Sequence, residues 1–187
     1  MRVISGTRRS LRLKTVDSDQ TRPTTDRIKE TLFNMLQPYV QGSLFLDLFS
    51  GSGAIGIEAL SRGARHAVFV DDQSDAVRVI RENIAFTKFE QESTVIRLDA
   101  VQAISELKER FPEGFDVIFM DPPYRKRLEY DALRAILSSG ILKPDAVVIF
   151  EADASDDVSE AEEIGFTIIK QKKYGSNQHV WLKKRLT

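Results

Sequence analysis

Four consecutive residues, Asp121-Pro122-Pro123-Tyr124, directly follow the apolar run Phe115 to Met120. An acid, two rings that fix the backbone and a flat aromatic give rigid acceptors beside a stacking surface. Such a set can hold a planar base and activate its exocyclic amine. Upstream, Asp47-Leu48-Phe49-Ser50-Gly51-Ser52-Gly53 reads as a loop for a nucleoside cofactor. Glycines there let the backbone approach a ligand, and the helix that follows offers N–H groups. Together the two stretches point to methyl transfer onto a nucleobase.

An exocyclic amine on guanine, adenine or cytosine is a poor nucleophile, because its lone pair is delocalised into the ring. Acceptors that bind its N–H groups as the nitrogen turns tetrahedral stabilise the transition state selectively. The Asp121 side chain and the Pro122 carbonyl suit that task, and Pro123 stiffens the turn. Tyr124 can stack on the base, worth ~1–3 kcal/mol. The amine can lose its proton after methylation, so Asp121 need not act as a full base. A plain Asp-Pro turn after a buried strand would explain two of these residues but not all four. The chain has no cysteine. Disulfides, thiolate metal sites and the thiolate adduct used for C5 methylation of pyrimidines are therefore excluded. His66 and His179, the two histidines, read as structural, and no metal is expected.

Gly51-Ser52-Gly53-Ala54-Ile55-Gly56 matches G-x-G-x-x-G, a pattern shared with nicotinamide and flavin proteins. Neighbouring groups narrow it. Asp47 ends the strand before the loop, where a carboxylate could receive a cationic amino-acid tail, with Phe49 and Ser52 lining the turn. Asp71, followed by Asp72, closes the second strand in position for a ribose diol. Asp99-Ala100 follows the third, where an acid and a backbone amide could read an adenine edge. The plainer alternative is a glycine turn that tightens a strand–helix joint, with Asp71 and Asp72 as capping acids.

These residues need elements to carry them. Apolar runs predict strands over Leu44–Leu48, Ala67–Asp71, Thr94–Leu98, Phe115–Met120, Ala146–Glu151, Phe166–Lys172 and His179–Lys183. Helical periodicity covers Ala54–Ser61, Ser74–Phe86, Ala100–Arg110, Leu128–Ser138 and Val158–Glu163. This alternation implies an α/β, Rossmann-like, seven-stranded, mostly parallel sheet covered on both faces. The last two strands are joined by Tyr174-Gly175-Ser176-Asn177, too short for a parallel crossover, so they form an antiparallel C-terminal hairpin at one edge. Residues 1–42 form an N-terminal extension packed on the methyltransferase domain at 43–187. In it, Arg2–Ile4 pairs with Leu11–Val16, and a helix over Thr25–Leu36 buries Ile28, Leu32, Met35 and Leu36 until Pro38 stops it.

With 187 residues, 42% hydrophobic and 29% charged, the chain fits one soluble globular domain. No apolar run approaches the ~18 residues that cross a bilayer, and Met1 to Gly6 does not begin a signal peptide, so a cytoplasmic location and no membrane partner are expected. Net charge is −1, which by itself does not favour nucleic acid. Its distribution is uneven: residues 1–14 carry Arg2, Arg8, Arg9, Arg12 and Lys14 with no acid, whereas residues 151–163 carry seven acids and no base. A polyanion would favour the N-terminal face. Arg125 could grip the backbone of a flipped nucleotide.

Several stretches resemble the bacterial RsmD family, which methylates N2 of one guanine in 16S ribosomal RNA. They are Arg2-Val3-Ile4-Ser5-Gly6, Thr21-Arg22-Pro23-Thr24-Thr25-Asp26-Arg27 with Phe33-Asn34, and Leu46 to Gly53 continuing to Glu58-Ala59-Leu60-Ser61-Arg62-Gly63. The likeness covers nearly the whole chain, and the Thr-Arg-Pro-Thr stretch discriminates best. Ser50 replaces a frequent alanine, and Asp71 a frequent glutamate. The resemblance implies a class I methyltransferase that binds S-adenosylmethionine through Asp47, Gly51, Gly53, Asp71 and Asp99, and holds guanine at Asp121 to Tyr124. Arg8, Arg9, Arg22, Thr24, Arg27 and Arg125 would touch RNA, within a small-subunit assembly particle. The enzyme is expected to be a monomer. Adenine-N6 methylation of DNA or RNA stays open, since the same four residues serve it. A nicotinamide oxidoreductase lacks a second domain for its substrate, and a non-catalytic RNA-binding module would not need Asp121.

Overall fold

The structure, a computed structural model, describes residues 1–16, 25–124 and 126–186. Five apolar runs become parallel strands: β1 (Leu44–Leu48), β2 (His66–Asp71), β3 (Ser93–Arg97), β4 (Phe115–Met120) and β5 (Leu142–Asp153). With β6 (Phe166–Tyr174) and β7 (Asn177–Lys184) they form one sheet of order β3-β2-β1-β4-β5-β7-β6. The crossovers are α2 (Ala54–Ser61), α3 (Ser74–Thr87), α4 (Ala100–Arg110), α5 (Leu128–Ser139) and α6 (Glu160–Ile164), and α1 (Asp26–Val40) precedes the sheet.

Alternation along the strands splits the core in two. Phe45, Phe69, Phe119 and Ile149 face α1, α2 and α3, together with Val3 and Leu13 of the N-terminal residues. Leu46, Val70, Ile118 and Phe150 face α4, α5 and α6. Central strands are thus buried on both sides, which explains their continuous apolar runs. No helix among the described residues is long and apolar enough to cross a membrane.

β1 and β4 lie side by side, Leu48 opposite Met120, yet their chains continue in opposite directions across the sheet. A crevice opens at such a switch point, beyond the carboxyl ends of the strands. Asp47 and Asp121 both stand there.

The structure corrects several expectations. The terminal hairpin forms, but β7 is inserted between β5 and β6, so β6 is the edge and His179 is interior. Its turn is only Gly175-Ser176, because Tyr174 and Asn177 pair across the strands. β5 begins at Leu142 rather than Ala146, since Leu142 pairs with Phe115 before the register shifts. α6 begins at Glu160, after Asp157 accepts from the Ser159 N–H and bends the chain at Val158.

α1 runs past Pro38 to Val40, whose burial continues the last turn beyond the proline. Its buried face is Lys29, Leu32, Phe33, Leu36 and Val40 rather than one through Ile28 and Met35. Lys29 explains the rotation. Its ammonium meets Glu58 of α2 at 3.4 Å and donates to the Arg2 carbonyl, both within the core. Glu58 also accepts from the N–H groups of Ile4 (2.8 Å) and Ser5 (3.0 Å) and from Arg62 (2.8 Å). Residues 1–3 pair with residues 10–13, through an Arg2–Arg12 bridge and a Val3 N–H to Leu11 carbonyl bond of 2.9 Å. The pairing stops short of the expected Val16 because the Lys14 N–H donates to Asn83 of α3 (2.8 Å).

Candidate active site

The glycine loop leaves β1 through a tight curl. Phe49, Gly51 and Gly53 all have positive φ (61°, 57° and 80°), which turns the backbone sharply toward α2. Phe49 adopts this without being glycine, and such strain concentrates at ligand-binding loops. Ser50 stitches the curl to β2: its hydroxyl donates to the Asp47 carbonyl (2.5 Å) and accepts from the Val70 N–H (3.0 Å).

The three glycines have separate reasons. A Cβ on Gly56 would stand 2.3 Å from the Phe69 ring, so that glycine serves helix–sheet contact. A Cβ on Gly53 meets Ile80 and Phe69 at ordinary distance, and the backbone there demands a left-handed residue. A Cβ on Gly51 meets nothing within 4 Å. The loop therefore has open space beside it at Gly51, as a group lying against the backbone requires.

Acids stand at or near the carboxyl ends of β1, β2 and β3. Asp47 is buried, one oxygen accepting from the Gly56 N–H at 3.0 Å. Burial pushes its carboxyl well above the ordinary range, the Gly56 bond opposes this, and Asp71 adds to it. Asp71 accepts from the N–H groups of Gly51 (2.9 Å) and Gln73 (3.0 Å), binding the first loop to the second. Asp72 is exposed and accepts from the Gln73 amide at 2.8 Å. Asp99 lies two residues past β3 and caps α4 through the N–H groups of Val101 and Gln102, which leaves Ala100 as the first helical residue. Ser52 accepts at its carbonyl from Asn83 of α3 (2.9 Å).

Across the crevice, Asp121 is partly exposed, and none of the described residues donates a hydrogen bond to it. Burial raises its carboxyl well above the ordinary range, and the charges of Glu151 and Asp47 raise it further. Pro122 is buried and Pro123 exposed. Tyr124 is 41% exposed, and its hydroxyl donates to Glu151 at 2.9 Å.

Glu151, which in sequence is one of seven acids in residues 151–163, and His179, which reads as structural, are further functional candidates. Glu151 stands on β5, which pairs with β4 just before the Asp-Pro-Pro-Tyr turn. Its place at the end of the apolar run Ala146–Glu151 is a signal of the kind that marks Asp71. Burial alone would raise Glu151, but bonds from His179, Tyr124 and Asn177, with the imidazole's charge, hold it below the usual range.

Residues assigned to RNA divide. Arg9 is exposed on the N-terminal hairpin and Arg27 is exposed in the first turn of α1. Arg8 donates to the Thr87 carbonyl (2.7 Å) and lies over Phe89, 5.1 Å from the ring centre. This is where α3 ends and β3 has yet to begin, the end of the sheet opposite the crevice. Arg22, Thr24 and Arg125 lie outside the described residues.

The chain is similar to known proteins over nearly its full length. A Bacillus subtilis protein, YlbH, described as a candidate rRNA methyltransferase, is 39% identical over 186 residues, covering 99% of this chain and all of that one. Ribosomal RNA small subunit methyltransferase D of Haemophilus influenzae is 34% identical, covering 94% of this chain and 89% of that one. Among solved structures, yhhF of Escherichia coli, described as a candidate methyltransferase, superposes with a TM-score of 0.84 at 28% identity. It covers 99% of this chain and 98% of that one. Residues 1–183 match the family described as Conserved hypothetical protein 95. With that match and these relatives, the chain belongs to the RsmD family of methyltransferases.

Proposed function

We propose that this protein methylates the exocyclic N2 of a guanine in the ribosomal RNA of the small subunit, with S-adenosylmethionine as donor. One observation carries the reading. Asp121, without a hydrogen-bond donor among the described residues, and the exposed Tyr124 ring follow β4, beside the glycine curl that follows β1. An acceptor and an aromatic thus follow one strand of the switch point, and the glycine curl follows its neighbour, which supports a base beside a nucleoside cofactor.

S-adenosylmethionine supplies an electrophilic methyl group on a sulfonium. The open space at Gly51 fits a group lying against the backbone, and Asp71 and Asp99 offer carboxylate oxygens to a ribose and an adenine edge. Asp47, with one oxygen on Gly56, lends negative charge where a cationic tail would lie.

Asp121 and the Pro122 carbonyl receive the amine N–H groups and favour the tetrahedral nitrogen. Tyr124 holds the base by stacking. The raised proton affinity of Asp121 suits it to accept the proton that the methylated nitrogen releases. Neutral purine amines need no other base. RNA reaches the crevice by extruding the target nucleotide, and a particle that already displays the nucleotide unstacked lowers that cost.

The test is transfer of labelled methyl to small ribosomal subunits lacking the mark, followed by nucleoside analysis of the RNA. Label in N2-methylguanosine supports the reading. Label in N6-methyladenosine keeps the chemistry and changes the base, and no label on the RNA sinks it.

A further inference from the structure

We propose that Glu151 is a positioning residue which, held by the β6–β7 hairpin, fixes the Tyr124 ring at the slot for the target base. The inference rests on Tyr124 being the stacking aromatic. An aromatic on an exposed turn has little packing to select one orientation, and Tyr124 leaves 41% of its surface open. Among the described residues, the hydrogen bond of its hydroxyl is the 2.9 Å bond to Glu151.

Glu151 is only 5% exposed, and bonds to both of its oxygens constrain it. Asn177 donates to the same oxygen as Tyr124 at 2.6 Å, and the His179 ring nitrogen meets the other oxygen at 3.1 Å. His179 is itself wedged edge-on between Phe119 of β4 (5.9 Å, 87°) and Tyr174 of β6 (5.1 Å, 63°). A chain of contacts thus runs from the edge strand through two interior strands to an exposed ring. Bonds to a buried carboxylate are stronger and more directional than neutral ones. A buried carboxylate is also costly, and an apolar side chain could join β5 to β7 without that cost. What the apolar side chain could not do is hold a phenol from outside the core.

Charged and titratable groups near the phenol are Glu151 and Asp153 of β5, Asp121 on its own turn, His179 of β7 and Tyr174 of β6. Burial and the neighbouring Glu151 push the Tyr124 hydroxyl above the usual tyrosine range. That gives a readout which needs no RNA.

The experiment uses the full chain with ring-13C-labelled tyrosine, in wild type, Glu151→Gln, Tyr124→Phe and the double variant. The Tyr124 signal is identified by its loss in Tyr124→Phe. It should remain neutral at about pH 10, where an ordinary tyrosine is half ionised, and should ionise at lower pH in Glu151→Gln. An unchanged titration overturns the inference. In single-turnover methyl transfer to small subunits, each single variant should slow the step about tenfold, and the double variant no more than either, with S-adenosylmethionine affinity unchanged. Losses that multiply to about a hundredfold, or no loss, also overturn it. Tyr124→Phe removes one exposed hydroxyl and tests the link even where Glu151→Gln impairs folding. Wild-type protein that transfers no methyl yet shows the tyrosine titration would refute the substrate reading and leave the positioning role standing.

Discussion

Two buried glutamates show how one residue type serves two ends in this fold. Glu58 is enclosed by Lys29, Arg62 and the amides of Ile4 and Ser5, all drawn from α1, α2 and the N-terminal residues. Every contact faces inward, and the carboxylate clamps the N-terminal residues to the sheet. Glu151 is as well enclosed on one side, by Asn177 and His179, but its third partner is an exposed ring beside the open carboxylate of Asp121. The first site spends its charge on the fold. The second passes geometry and charge outward to a crevice.

The comparison can be broken. Glu58→Ala leaves Lys29 as an unpaired buried ammonium and should cost about 3–5 kcal/mol. Denaturant unfolding measures it, and a loss near that of a surface substitution would end the clamp interpretation. Asp121→Ala should lower the rate constant of methyl transfer about 10²–10³-fold, with cofactor binding and unfolding midpoint retained. A matching fall in stability would mean that Asp121 belongs to the fold as Glu58 does.

The glycine loop sharpens the same contrast at smaller scale. Gly56→Ala drives a methyl into the Phe69 ring and should cost about 1–3 kcal/mol in stability. Gly51→Ala points its methyl into open space and carries only the backbone penalty of about 1–2 kcal/mol. Its larger effect should be on S-adenosylmethionine affinity, read by calorimetry. Equal binding by both variants would place the cofactor elsewhere.

The smallest expected effect is on pH. Asp121 binds its proton more tightly than an ordinary aspartate, so its charged, accepting form is lost as pH falls through that raised value. The acidic limb of the transfer rate should therefore lie above about pH 3.9, the ordinary aspartate value. In Glu151→Gln one neighbouring negative charge is gone, and the limb should move to lower pH. A limb that stays in place would separate the two carboxylates electrostatically.

Much of the fold was legible because local pattern and burial agree in the centre of the sheet. β1, β4, α2 and α4 have the predicted boundaries, since apolar runs bounded by glycine or aspartate leave little choice. The errors lie where a distant partner decides. Pro38 reads as a stop, but the sheet beneath Val40 keeps the helix going. β7 reads as an edge strand, but it slots against β5 and carries His179 into the interior. Ile28 and Met35 read as the core face of α1, but the ion pair between Lys29 and Glu58 turns that helix.

The site shows the same division. The glycine curl, Asp47, Asp71 and the Asp-Pro-Pro-Tyr turn are encoded locally, each at or just past the end of its own strand, so their places in the fold could be read in one dimension. Arg8 could not, because its basicity suggests RNA while its contacts with Thr87 and Phe89 lie at the far end of the sheet. Local pattern set the centres of the elements and the ends of β1, β4, α2 and α4, because those depend on near neighbours in the chain. The convergence of Glu151, Asn177 and His179 behind Tyr124 comes from strand order and antiparallel register, which set which distant side chains meet.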